Sequence, residues 1–91
     1  MNNVTDNAAK HRYELNVDGH IAFVEYQLSP GVIDLVHTFV PKELGGRGIG
    51  SILAKGVLDS VRSRDLKVIA TCQFIAGYIG KNPDYADLLA K

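Results

Sequence analysis

Four glycines in eleven residues, Gly45, Gly46, Gly48 and Gly50 of "VPKELGGRGIG", stand directly ahead of an amphipathic helix pattern. Glycine loses more conformational freedom on folding than any other residue, so a cluster of it at a helix start marks a place that needs bare backbone. The helix carries Ile49, Ile52, Leu53, Gly56, Val57, Ser60 and Val61 at the spacing of a single buried stripe. Ser51, Lys55, Asp59 and Arg62 point the other way. Whatever precedes the loop is ended by Pro41.

Upstream, "HRYELNVDGHIAFVEYQL" alternates. Tyr13, Leu15 and Val17 share one face, and Asp18-Gly19 supplies the two-residue turn of a tight hairpin. With Val17 opposite His20, the partner strand adds Ala22, Val24, Tyr26 and Leu28 to that face. A turn at Pro30-Gly31 then brings back "VIDLVHTFV", whose Ile33, Leu35, His37 and Phe39 continue the row. Glu25 and Asp34 fall on the opposite face. Downstream of the helix, "LKVIATC" reads as a fourth strand and "QFIAGYIGK" as a short helix that Gly80 stops. Asn82 and Pro83 open a last turn, with Tyr85, Leu88 and Leu89 packing down. The expected fold is mixed α/β (α+β), in the order βββ-α-β-α. It has an antiparallel three-stranded meander and one further strand, parallel to the third.

The chain has 91 residues, and 46% hydrophobic against 22% charged residues suits a single globular domain. The polar "MNNVTDNAAK" is expected to fray, so 1–10 reads as a disordered tail and 11–91 as the domain. Ten basic residues balance ten acidic ones, which argues against nucleic acid as a partner. No apolar run approaches membrane-spanning length and no secretory leader is visible, so no membrane partner is expected. The lone Cys72 cannot form an internal disulfide and fits a cytoplasmic location. Neither it nor the three histidines have metal-ligand spacing, so no metal is expected.

Three readings compete for "GGRGIG": a flexible turn, a dinucleotide-binding loop, or a cradle for a pyrophosphate. The second needs a doubly wound parallel sheet with an acidic residue at the next strand's end, and neither is present. Electrostatics favour the third. A helix start normally carries Asp or Glu against its positive dipole end, yet from Gly46 to Leu58 there is no acidic residue, and Arg47 stands there instead. Open N–H groups, glycines for close approach and an arginine alongside suit phosphate oxygens.

"VPKELGGRGIGSIL" resembles the acetyl-CoA-binding segment of the GNAT acetyltransferase superfamily: Gln or Arg, two residues, Gly, one residue, then Gly or Ala. Gly48 and Gly50 match its last two positions. Gly45 stands where the family has Gln or Arg, and Arg47 offers a charge two residues later. "HTFVPKELGGRGIG" followed by "LKVIATCQFIAGYIGKNPDYADLL" is similar to the short, single-domain branch of predicted GNAT-type acetyltransferases. The likeness runs from about Tyr13 to Leu89 and implies a minimal GNAT-like fold. It also implies acetyl-CoA as co-substrate and an amine as acceptor. By that resemblance the cofactor lies between "VHTFV" and "KVIATC", two parallel strands that splay apart. Phe39 and Val40 pair with the pantetheine amides through their backbone, while Gly45, Gly46, Arg47, Gly48, Ile49, Gly50 and Ser51 hold the pyrophosphate. A sequence of this length is expected to lack the extra helices and strand pair that build the acceptor site in full GNAT domains. A CoA-binding or sensing module with little turnover is therefore the alternative to an N-acetyltransferase.

Two residues are candidates for catalysis. Cys72 closes its strand and precedes a helix, a position that lowers a thiol pKa and places sulfur beside the acetyl group, and the short branch has a cysteine there. The competing reading is an inert buried thiol. His37 is either a hydrogen-bonded core residue or a base, and short members resemble this chain in having "HT". Glu25 and Asp34 are a base, substrate contacts, or simply a solvated face. Tyr78 is similar to the family's thiolate-protonating tyrosine, but "AGYIG" does not align with that motif.

Overall fold

Asp18 and Gly19 both take positive φ, 54° and 82°, and so close the hairpin between two strands of a computed structural model that describes residues 4–90. Strand β2 (Arg12–Val17) pairs with β3 (His20–Ser29) with Val17 opposite His20, the register the turn dictates. Strand β4 (Val32–Phe39) returns antiparallel to β3, and β5 (Lys67–Ala70) adds to β4 in parallel, after helix α1 (Ile49–Ser63). Helix α2 (Gln73–Lys81) and a 3-10 helix (Pro83–Leu88) follow. The mixed α/β architecture and the order of these elements are those expected from the sequence.

The sheet has a fifth strand that the sequence did not suggest. Thr5–Asn7 forms β1 and pairs with Arg12–Glu14 of β2, so the expected tail over 1–10 is ordered from residue 5 onward; residues 1–3 lie outside the described residues. Val4, just ahead of it, packs against the core, and polar contacts hold the strand itself. Asp6 accepts a 2.6 Å hydrogen bond from the Tyr26 hydroxyl and a 3.2 Å one from Arg64 at the end of α1. Arg64 also donates to the Tyr13 hydroxyl at 2.8 Å, and that hydroxyl meets Ser60 Oγ at 3.0 Å.

A second departure moves functional candidates. From Ser29–Val32 to Tyr26–Leu35 the β3–β4 register is regular, and then Glu25 faces His37, so Val36 is an extra residue in β4. Such a bulge swaps the faces of everything beyond it. Ile33 and Leu35 are buried as expected, but His37 and Phe39 turn to the outer face and are exposed, contrary to the uninterrupted inward row. There they lie beside Phe23, at ring distances of 6.5 and 5.3 Å, while Thr38 takes the inward place opposite Val24.

The core is a single cluster. Tyr13, Leu15, Ala22, Val24, Tyr26, Ile33 and Leu35 of the sheet meet Leu53, Val57 and Val61 of α1 and Ile75 and Ile79 of α2. The α1 stripe is rotated from the one expected: Ala54 and Leu58 are buried, whereas Ile52 is 41% exposed. Leu28, at the hairpin tip, is exposed as well. Helix α2 continues through Gly80 to Lys81. Beyond it Asn82 turns its amide back to the Tyr78 carbonyl, Tyr85 and Leu88 pack inward, and Leu89 instead bridges to Val68 on the open edge of β5.

Candidate functional site

Strand β5 stops pairing at Ala70, opposite Leu35, and the Cys72 N–H makes one more bond to the Leu35 carbonyl at 2.8 Å. Strand β4 continues to Phe39, so its last stretch has β3 on one side and the start of α2 on the other. The two parallel strands thus stop pairing just beyond Leu35, and the fork between them, the slot, is spanned by Cys72 Sγ and Thr38 Oγ1 at 3.2 Å. Phe39 and Val40, expected to offer their backbone here, lie on this stretch and its exit. Phe39 sends its side chain to the outer face, and Val40 packs against the core.

The glycine loop closes one end of that slot. A 3-10 turn over Lys42–Leu44 buries Leu44 and leads into Gly45. Gly46 and Gly48 have φ of 77° and 70°, in the left-handed region that side chains avoid, and Gly48 is the N-cap of α1. With glycine as cap and no acidic residue in the first turn, the N–H groups of Ile49, Gly50 and Ser51 have no side-chain partner. Gly50 differs: its φ is not in the left-handed region, and a Cβ there would come within 2.7 Å of the outer end of the Phe74 ring of α2. The ring therefore sits across the first turn of α1. Arg47 reaches back to the β2–β3 turn, where it donates to Asp18 at 3.1 Å, with both side chains largely exposed. Of the expected phosphate-binding residues, Gly45, Gly46, Arg47, Gly48 and Ser51 are exposed, Gly50 is half-buried and Ile49 packs into the core, and the Arg47 charge is held by a carboxylate that sequence reasoning missed.

Cys72 occupies the other end, half-buried, as the N-cap residue of α2. Its sulfur lies 3.2 Å from Thr38 Oγ1. Burial pushes the thiol upward, but the Thr38 hydroxyl and the backbone N–H groups of Ile75, Phe74 and Thr38 outweigh it and hold the thiol below its ordinary value. The sulfur closes no full capping hydrogen bond, so the helix N–H groups act on it mainly as oriented dipoles.

The other candidates are not gathered here. His37 is on the outer face with Phe23 and Glu25, not in the slot with Cys72. Asp34 shares that outer face and accepts a 2.6 Å hydrogen bond from Thr71. Tyr78 stacks obliquely on Tyr85 at 6.1 Å. Among the described residues no three His, Cys, Asp or Glu side chains group as a metal site needs, and no helix is long and apolar enough to cross a membrane. Thr38 went unnoticed in the sequence because only the bulge turns it inward.

Residues 12–88 match the family model described as GCN5-related N-acetyl-transferase, and the chain belongs to that family as a short domain of the GNAT superfamily. It is similar to Protein NATD1 of Mus musculus, 42% identical over 66 residues that cover 72% of this chain and 59% of that protein. Protein NATD1 of Danio rerio is 38% identical over the same length and coverage. The chain spans about 59% of the length of these curated relatives. A solution structure of a GCN5-like protein from Staphylococcus aureus superposes with a TM-score of 0.73 at 29% identity, covering 96% of this chain and 86% of that one.

Proposed function

We propose that this domain binds acetyl-CoA and transfers its acetyl group to an amine. One observation carries the reading: β4 leaves its pairing with β5 beside the Cys72 thiol and leads, through the Lys42–Leu44 turn and the glycine loop, to an uncapped, acid-free helix start. The backbone of Phe39 and Val40 suits the amides of pantetheine, and Gly45 to Ser51 with Arg47 suits the pyrophosphate. In direct transfer, a neutral amine nitrogen attacks the acetyl carbonyl carbon. The carbon–sulfur bond breaks, and CoA leaves as a thiolate that takes up the proton the nitrogen loses. Backbone N–H groups along β4 stabilise the charge that develops on the carbonyl oxygen. Cys72 lines the acyl end in this scheme. A site thiol that must stay reduced also agrees with a cytoplasmic location.

A second reading has its own support. His37 is turned away from the slot, so no imidazole base stands beside Cys72, as suits a CoA-binding module with little turnover. Titration with acetyl-CoA and free CoA, followed by backbone amide shifts and mass spectrometry, separates the possibilities. The expected result is shifts largest at Phe39, Val40 and Gly46 to Ser51, with no acetyl adduct on Cys72. An adduct that Cys72→Ala abolishes would replace direct transfer by transfer through the thiol. Shifts without acetylation of any amine offered would favour the module, and no shifts at millimolar ligand would end the cofactor reading.

A further inference from the structure

The extra residue at Val36 decides which side chain reaches the thiol. In an unbroken strand, inward Leu35 would be followed by inward His37, and Thr38 would face the open side of the sheet. With the bulge, Thr38 faces inward opposite Val24 and its Oγ1 lies 3.2 Å from Cys72 Sγ. Cys72 is fixed from below as well, since its own N–H is bonded to the Leu35 carbonyl at 2.8 Å. Two residues of β4, one on each side of the bulge, therefore grip one residue at the start of α2.

We propose that Thr38 is the positioning residue of this slot, holding the Cys72 sulfur with its hydroxyl. A hydroxyl is suited to both protonation states: it accepts from a thiol and donates to a thiolate. The groups that favour the thiolate are all dipoles, namely Thr38, Ile75 and Phe74, working against burial. The neighbouring titratable side chains are engaged elsewhere. His37 faces Phe23 across the sheet, Asp34 is bonded to Thr71, Tyr78 packs on Tyr85 and Arg47 is paired with Asp18. Control of the sulfur thus falls to Thr38, the partner that a single substitution can remove.

This assignment deepens the reading of the slot as an acyl-transfer site, and its test needs no acetyl-CoA. The rate of Cys72 alkylation by iodoacetamide is followed against pH in the full chain. Thr38→Val keeps the size and the backbone N–H but removes the hydroxyl, and is expected to raise the midpoint of the profile by about one pH unit. At pH 7 the rate should fall only about threefold, because a thiolate of higher pKa is the better nucleophile. Thr38→Ser should restore the wild-type midpoint. A merely structural role would lower the melting temperature and leave the midpoint where it was. An unmoved midpoint in Thr38→Val, or in Thr38→Ala if the valine variant does not fold, overturns the proposal. Absence of amide shifts with acetyl-CoA in the wild type, together with a moved midpoint, overturns the acyl-site reading and leaves the hold of Thr38 on the sulfur established.

Discussion

Arg47 shows how far a single residue can be read from sequence. Its charge at an acid-free helix start was visible, but its partner was not, because Asp18 lies 29 residues away on a hairpin turn. Before an anion can use this guanidinium it must compete with that carboxylate. Exposed ion pairs of this kind are worth about 0.2–1 kcal/mol, so Asp18→Asn should tighten CoA binding by up to about fivefold. Arg47→Ala should weaken it by roughly three- to tenfold, less than a buried charge-assisted bond would lose. The gain from Asp18→Asn should vanish in the Arg47→Ala background. Calorimetric titration of the four proteins checks this, and a gain that persists without Arg47 would mean that Asp18 repels the ligand directly. Cys72 could be found from sequence by its residue type, whereas Thr38 could not. "LVHTF" offers apolar residues in both alternating rows, so nothing in it reveals a bulge.

At the level of elements, the helix start was the most legible part of the chain, yet its glycines do different work. Gly48, at φ 70°, is fixed by backbone conformation. A β-branched residue there should cost about 1–2 kcal/mol of stability whatever the ligand does. Gly50 has ordinary helical φ and is fixed only by the Phe74 ring, the end of a flexible side chain that can move aside. Alanine is the better helix former by up to about 1 kcal/mol, so Gly50→Ala should change stability little in the wild type. In a Phe74→Ala background the same change should be stabilising. Urea unfolding of the four combinations reads this coupling directly. If Gly50→Ala proves as damaging as a Gly48 substitution, the first turn of α1 is constrained by something other than the ring. The α1 stripe was predicted from periodicity and came out rotated, since periodicity locates an apolar face but not the neighbours on its flanks. Here Tyr85, from the 3-10 helix, bonds to Asp59 at 2.6 Å and helps set which flank is covered.

For the whole molecule, the meander, the crossover and the parallel strand were recoverable because each rests on local turns and alternation. Strand β1 was not, because "TDN" carries no apolar pattern and its order depends on Arg64, 58 residues away from Asp6. That clasp should leave a mark at alkaline pH. Burial first, and then the hydrogen bond to Asp6 and its charge, push the Tyr26 phenol up to about 12. A folded pKa raised above the unfolded value near 10 favours the neutral phenol. Its contribution to stability is therefore complete below pH ~10 and is lost as the pH rises through about 12. The melting temperature should thus begin to fall above pH ~10 as this contribution disappears. Asp6→Asn removes the carboxylate but not the burial, so it should bring the phenol only part of the way back towards 10. Ultraviolet titration of tyrosine ionisation, with Tyr26→Phe to identify the late-titrating component among the four tyrosines, measures this shift. Asp6→Asn should also make β1 amides exchange faster with solvent, since Tyr26 and Arg64 both lose their charged acceptor. If the Tyr26 titration is the same with and without the Asp6 carboxylate, β1 is not docked on this phenol in solution, and the sheet has four lasting strands.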